Sequence, residues 1–188
     1  MILEGVVTTL APDGTLNVAP MGPRFEADWS RFVLRPFRTS TTFRNLESQG
    51  EGVLHITDDV LLIARAAIGP VLDVETRPAE SVTGKIILSS ARYYEFRVVE
   101  LDSSTERAMI VAETVASGRI RDLFGLNRAK FAVVEAAILA TRLAILPIEQ
   151  IREEFDRLAP LVEKTGGPDE RAAFRLLLDH LDSRGSRP

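Results

Sequence analysis

The chain has 188 residues, 45% hydrophobic and 27% charged, with a net charge of −4 and no cysteine. That length suits one domain, or one domain with an appendage, and the missing thiols exclude disulfides, thiolate nucleophiles and thiolate metal sites. No block of Lys and Arg favours sequence-independent nucleic-acid binding, and apolar runs such as Ala136–Ala140 fall far short of a membrane span.

The first half reads as strands. Ile2 to Leu10 holds Val6, Val7, Thr8 and Thr9, whose branched side chains suit a pleated surface. Ala11-Pro12-Asp13-Gly14 is a hairpin turn, because Pro presets φ, Asp bonds the local backbone and Gly accepts positive φ. Leu16 to Met21 returns antiparallel and ends among Pro20 and Pro23. Arg31 to Arg35 is a short strand broken at Pro36. Ser40 to Gln49 is a helix that opens on hydroxyls and stops at Gly50. Gly52 to Thr57 is a strand. Val60 to Ile68 is a helix entered through Asp58 and Asp59, and Val71 to Lys85 reads as irregular.

Arg92 to Leu101 alternates with nearly a two-residue period, and Arg107 to Arg119 is its long return strand. From Asn127 the period becomes helical. Phe131, Val134, Ala137, Ile138, Thr141 and Ile145 share a face, and the helix stops before Pro147. A second helix carries Ile151, Phe155, Leu158 and Val162. After Gly166-Gly167 a third carries Phe174, Leu177 and Leu178, and Ser183 to Pro188 is a frayed tail. Strands first and helices last is an α+β pattern.

Chemistry concentrates in Leu34-Arg35-Pro36-Phe37-Arg38-Thr39-Ser40-Thr41-Thr42-Phe43-Arg44-Asn45-Leu46. A helix start leaves backbone N–H groups without partners and carries partial positive charge. Hydroxyls there donate to phosphate oxygens, and arginines add charge and forked donors. The stretch reads as a phosphate seat or, on residue types alone the commoner case, as a capped helix with solvated arginines. Asn17 to Pro23 is the second candidate. Its prolines and glycine leave backbone groups that can meet the edge of a heterocycle, with Met21 as an adaptable contact; an ordinary strand ending is the alternative.

His55, alone in a strand, suits either a ligand bond or a buried structural role. His180 reads as surface, and two distant histidines give no zinc spacing, so no metal is expected. Asn127 is a good N-cap, and Arg128 and Lys130 follow it where the helix dipole disfavours cations. That conflict points to an anionic partner or to nearby carboxylates. No nucleophile elbow and no Gly-rich nucleotide loop is present.

These stretches together resemble a domain-of-unknown-function family within the FMN-binding split-barrel superfamily, distantly related to the flavin reductases. The carriers are Glu4–Thr9 with Asp13-Gly14, Asn17–Gly22, Leu34-Arg35-Pro36-Phe37, Gly50–Asp59, and Asn127–Lys130 through Glu135–Ile138. The resemblance implies an α+β fold: a six-stranded, Greek-key-like split β-barrel in residues 1–126, with a three-helix extension, 127–188, packed on it. It implies a homodimer with flavin mononucleotide (FMN) at the subunit interface.

The flavin phosphate is then expected at Arg35, Ser40, Thr41 and Thr42, with Pro36 and Phe37 leading into the seat. The ring is expected along Ala19, Pro20, Met21 and Gly22. His55 stands where related strands often carry Asn, and Asn127 or Arg128 closes the site. The expected function is an FMN-dependent oxidoreductase or flavin reductase, since the ring itself accepts hydride or electrons. A flavin carrier or sensor acting through a protein partner is the alternative, and a scaffold with a vestigial site is a third. Met1–Glu4 shows no basic-then-apolar leader, so a soluble cytoplasmic protein is expected, with neither nucleic acid nor membrane as partner.

Overall fold

The structure is a computed structural model and describes residues 1–25, 29–123, 125 and 127–185. The chain divides into two compact units, one of residues 1–57 and 71–123, the other of 58–70 and 124–188.

The first unit is built on a curled antiparallel sheet. Its strands in chain order are Gly5–Leu10 (β1), Leu16–Met21 (β2), Arg24–Phe25 (β3) and Arg31–Leu34 (β4), then helix Thr41–Gln49 (α1) and strand Glu51–Ile56 (β5). After the helix Val60–Ile68 (α2) come the short strands Thr76–Pro78 (β6) and Lys85–Ile87 (β7), then the long hairpin Arg92–Asp102 (β8) and Met109–Arg119 (β9). Seven strands hydrogen-bond in the order β2-β1-β5-β8-β9-β4-β3. Residues ahead of β1 bring the sheet back on itself. Phe25 N–H donates to Met1 O at 3.1 Å and Leu3 N–H to Pro23 O at 3.3 Å, with a bridge between Ile2 and Arg24.

This is the split barrel of the sequence reading with seven strands where six were expected. The extra one, β3, is only two residues long, and Pro20 and Pro23 mask it in the pattern. Regular pairing in β1 begins at Gly5, because Ile2 belongs to the closing bridge. The core is lined by Val7, Phe32, Leu34, Leu54, Phe96 and Ile110, with Phe43 and Leu46 of α1 buried into it. Removing each of those two helix side chains from water stabilises the plug by about 1.5–3 kcal/mol. Trp29 holds a left-handed φ of 63°, rare for a bulky residue. It is fixed by stacking on Tyr94 at 5.2 Å and by Thr114 Oγ1, which donates to its carbonyl at 2.9 Å.

The segment read as irregular forms a ribbon, β6–β7. Its regularity is hidden because side chains of the sheet hold it. Thr8 Oγ1 donates to Lys85 O at 2.6 Å, and Ile87 N–H donates to His55 Nε2 at 3.0 Å. The β6–β7 turn is gripped by the buried Glu95 carboxylate, which accepts from Glu80 N–H and from Ser81 N–H at 2.6 Å.

The second unit contains α2 and three C-terminal helices: Arg128–Ala140 (α3), Ile148–Thr165 (α4) and Pro168–Gly185 (α5). Sequence analysis runs α3 on to Leu146. It ends at Ala140, where Thr141 Oγ1 bonds back to Ile138 O and Arg142 N–H reaches Leu139 O, tightening the chain into turns. The buried face also differs. α3 buries Ala129, Ala132, Val133, Ala136, Ala137 and Ala140, whereas Phe131 is 54% exposed and Ile145 67%. Small residues let helices approach closely, and a reading weighted by side-chain size overlooks them. Leu126 and the tail beyond Gly185 lie outside the described residues. Among those described, no helix is long and apolar enough to cross a membrane.

Candidate functional site

The seat begins where β4 ends. Leu34 is buried in the barrel and Arg35, next on the alternation, is exposed. Pro36 is buried, and its carbonyl accepts from Ala108 N–H at 2.9 Å. Phe37 bridges to Arg107, whose guanidinium lies 3.9 Å over the Phe37 ring and donates to Arg35 O at 3.4 Å.

The turn ends at Ser40, the N-cap of α1, with extended backbone (φ −77°, ψ 152°); its Oγ accepts from Phe43 N–H at 3.1 Å. The N–H groups of Thr41 and Thr42 have no intrahelical acceptor, as helix geometry requires. No acidic residue occupies the first turn. Instead Arg44 folds back over it, donating to Thr39 O at 2.6 Å and Thr41 Oγ1 at 3.0 Å.

Thr42 is 97% buried and its Oγ1 accepts from Asn17 Nδ2 at 3.0 Å. Asn17 Nδ2 also reaches Thr9 Oγ1 at 3.2 Å, which accepts from Asn45 Nδ2 at 3.0 Å. In this arrangement Ser40, Thr41 and Thr42 each act as acceptor towards a protein N–H. Each keeps its O–H to donate. Successive hydroxyls at a helix start, with free helix N–H groups and arginines, are complementary to a phosphate.

Asn17 ties this seat to β2. Among the described residues that strand pairs only with β1 and stands at the end of the sheet order, where Pro20 sits without cost to a ladder. From Asn17 to Met21 is four residues of strand, about 13 Å. Ala19, Pro20, Met21 and Gly22 are all half-buried, and Met21 packs against the barrel core. A Cβ on Gly22 would stand 3.0 Å from Ile2 Cγ2, so only glycine fits without a shift.

The structure thus brings together Arg35, Pro36, Phe37, Ser40, Thr41 and Thr42, and joins them through Asn17 to the strand of Ala19–Met21. Asn17 and Arg44 belong to this set; both lie inside the candidate stretches of the sequence, which gave neither side chain a contact of its own. Asn17 stands in a stretch read for its backbone, and Arg44 is distinguished only by the helical spacing that lets it reach Thr41.

His55 lies elsewhere. It is fully buried, with Nδ1 donating to Val6 O at 3.2 Å and Nε2 accepting from Ile87 N–H. Burial drives its pKa down to about 4, the bond to Val6 opposing. Both nitrogens are engaged by backbone and no part of the ring is open to a ligand, so its role is structural.

Asn127 and Arg128 belong to the helical unit. Asn127 Oδ1 caps Ala129 and Lys130, and its Nδ2 donates to Thr165 O at 3.1 Å. Lys130 pairs with Glu170 at 2.8 Å and donates to Asp58 O, which resolves the charge conflict of α3 by a carboxylate. Arg128 is exposed. Among the described residues, no group of three or more acidic or imidazole side chains is placed to hold a metal.

Residues 3–121 match the family model described as "Protein of unknown function (DUF447) N-terminal domain", and residues 127–179 match the model for the rest of DUF447. The chain belongs to this family. Among solved structures it is similar to an FMN-bound protein of the same family from Methanosarcina mazei, at 22% identity and a TM-score of 0.83, covering 95% of this chain and 94% of that one. It is similar also to flavoredoxin from Methanosarcina acetivorans (17% identity, TM-score 0.54, 63% and 68% covered). The 2-nitrobenzoate 2-nitroreductase of Pseudomonas fluorescens matches at 17% identity and a TM-score of 0.54, with 62% and 64% covered. Matches at this level establish the shared split-barrel fold.

Proposed function

We propose that the chain binds FMN and serves as a flavin-dependent oxidoreductase or flavin reductase. The observation that carries this reading is the acid-free start of α1, where hydroxyls, orphan N–H groups and arginines converge beside β2, at the end of the sheet order. The FMN-bound state of the M. mazei relative supports it. A phosphate at pH 7 carries about −1.5 to −2 charge and three acceptor oxygens. Here Ser40, Thr41 and Thr42 donate to it, the Thr41 and Thr42 N–H groups supply the helix end, and Arg35 and Arg44 add charge. The 13 Å or so of β2 from Asn17 to Met21 gives room for a ribityl arm and a ring against Ala19–Gly22.

The flavin supplies hydride or single-electron acceptance when bound. The protein residues anchor, orient and exclude water, which agrees with a site that holds no nucleophile or paired general acid and base. In this reading the flavin is held by the strand-built part of residues 1–126, and 127–188 form the helical extension together with α2. Two copies act as a homodimer, which sedimentation of the purified protein checks, and the place of action is the cytoplasm, which cell fractionation checks. Exposed Phe131 and Ile145 on the helical segments favour a second reading, a flavin carrier that docks on a protein partner.

Titration of flavin-free protein with FMN and with riboflavin tests the proposal. Sub-micromolar FMN binding, about −8 kcal/mol or better, with markedly weaker riboflavin binding is expected. Equal affinities would remove the phosphate seat. Anaerobic mixing with reduced nicotinamide cofactors then separates the two readings: flavin bleaching marks the reductase, and unbleached flavin with every donor marks the carrier.

A further inference from the structure

The seat holds more positive charge than one phosphate needs. Arg35, Arg38, Arg44 and Arg107 make no ion pair with any carboxylate among the described residues. In the same unit Arg31, Arg77, Arg97 and Arg119 do so, with Glu113, Glu80, Glu51 and Asp122, whereas Arg24 and Arg92 do not; what sets Arg35, Arg38, Arg44 and Arg107 apart is that they gather on the one segment that enters α1 and on the residue bridged to it. All four are exposed, in a protein whose net charge is −4. They also fall into two groups by what fixes them. Arg44 is bonded to Thr39 O and Thr41 Oγ1, over the start of α1. Arg107 lies on the Phe37 ring and donates to Arg35 O, and Arg38 is brought beside it by its backbone N–H, which donates to the carbonyl of the neighbouring Glu106 at 3.1 Å.

A phosphomonoester of charge near −2 balances the helix-side group with Arg35. It leaves Arg38 and Arg107 uncompensated, Arg107 on the aromatic base of Phe37. A guanidinium stacked on a ring keeps its in-plane N–H donors free for a planar or tetrahedral oxyanion.

We infer that Arg107, stacked on Phe37, forms with Arg38 a second anion subsite beside the flavin seat, one that takes a phosphate group of the molecule with which the flavin exchanges electrons. The inference rests on the FMN reading for the occupant of the first subsite. Glu106 is the carboxylate nearest in sequence, and only its carbonyl is engaged by Arg38.

The test is ³¹P NMR of FMN-loaded protein titrated with inorganic phosphate, in wild type, Arg107→Gln and Arg38→Gln. Both residues are exposed, so the fold tolerates the change. The wild type is expected to broaden the inorganic phosphate line while the bound flavin phosphorus stays unshifted. Each variant should weaken that binding at least fivefold and leave FMN affinity within twofold. A sharp inorganic phosphate line with FMN-loaded wild type overturns the inference. Equal broadening in the variants overturns it too, and so does a variant that loses FMN in proportion, which would place its arginine in the first subsite. If the wild type takes up no FMN, the proposed function fails separately. The same titration on flavin-free chains then decides: reduced phosphate uptake in Arg107→Gln sustains the second subsite, and unchanged uptake removes it.

Discussion

Acidification acts on this barrel through His55. The ring is fully buried between β1 and β7, accepting Ile87 N–H and donating to Val6 O, so the folded state holds it neutral with a pKa of about 4 against an ordinary 6.5. Above pH 6.5 neither folded nor unfolded chain binds the proton, and the stability is whole. As pH falls below 6.5 the unfolded chain takes up a proton that the folded chain refuses, so stability declines until the folded ring also titrates near pH 4. At about 1.4 kcal/mol per unit, the loss between pH 7 and pH 5 is about 2 kcal/mol, and about 3 kcal/mol by pH 4. His55→Gln keeps an acceptor for Ile87 and cannot titrate. It should be less stable at pH 7 by about 1–3 kcal/mol, for the carbonyl of Val6 left short of a donor. Its stability should fall less between pH 7 and pH 5 than that of wild type, by the same 2 kcal/mol or so. Urea unfolding at the two pH values, with wild type and variant side by side, cancels the other titrating groups. Parallel pH dependence in the two proteins would refute the reasoning.

Asn17→Asp offers only acceptors to Thr42, so the Thr42 O–H turns away from the seat. FMN affinity should fall at least tenfold with riboflavin affinity and melting temperature nearly unchanged; equal loss of both ligands would make Asn17 merely structural. Gly118→Ala places a Cβ within 2.6 Å of Tyr93 ring atoms, which Arg77 holds from Nη2 at 3.1 Å. Denaturant unfolding should register a loss of about 1–3 kcal/mol, and a neutral result would mean the ring moves freely. Lys130→Met leaves the buried Glu170 carboxylate without its cation. With Lys130 partly exposed, the cost should be about 2 kcal/mol, read from thermal unfolding of the helical unit.

The barrel was legible because its strands carry β-branched pairs, and because turn chemistry punctuates them at Pro12-Asp13-Gly14, Pro36 and Gly50. The helix Val60–Ile68 was read to the residue, since Asp59 caps it and Gly69 ends it. Local pattern fails where long-range bonds decide. The ribbon β6–β7 is shaped by Thr8, His55 and Glu95, between 14 and 77 residues away in sequence. Its own sequence shows only Pro78 and Gly84. In α3 the large Phe131 faces outward and alanines face inward, so hydrophobic size misleads where close approach is what matters. At the candidate site, the hydroxyl run and Arg35 were visible as residue types at a helix start. The bond from Asn17 to Thr42 spans 25 residues and emerges only once β2 and α1 are side by side.

The most direct test is a crystal structure of the protein grown with FMN. The account predicts the flavin phosphorus over the first turn of α1, its oxygens within hydrogen-bond reach of Ser40, Thr41 and the Thr41 and Thr42 N–H groups, with the ring along Ala19–Gly22. Flavin density anywhere else on the chain, with that helix start facing only solvent, would contradict it.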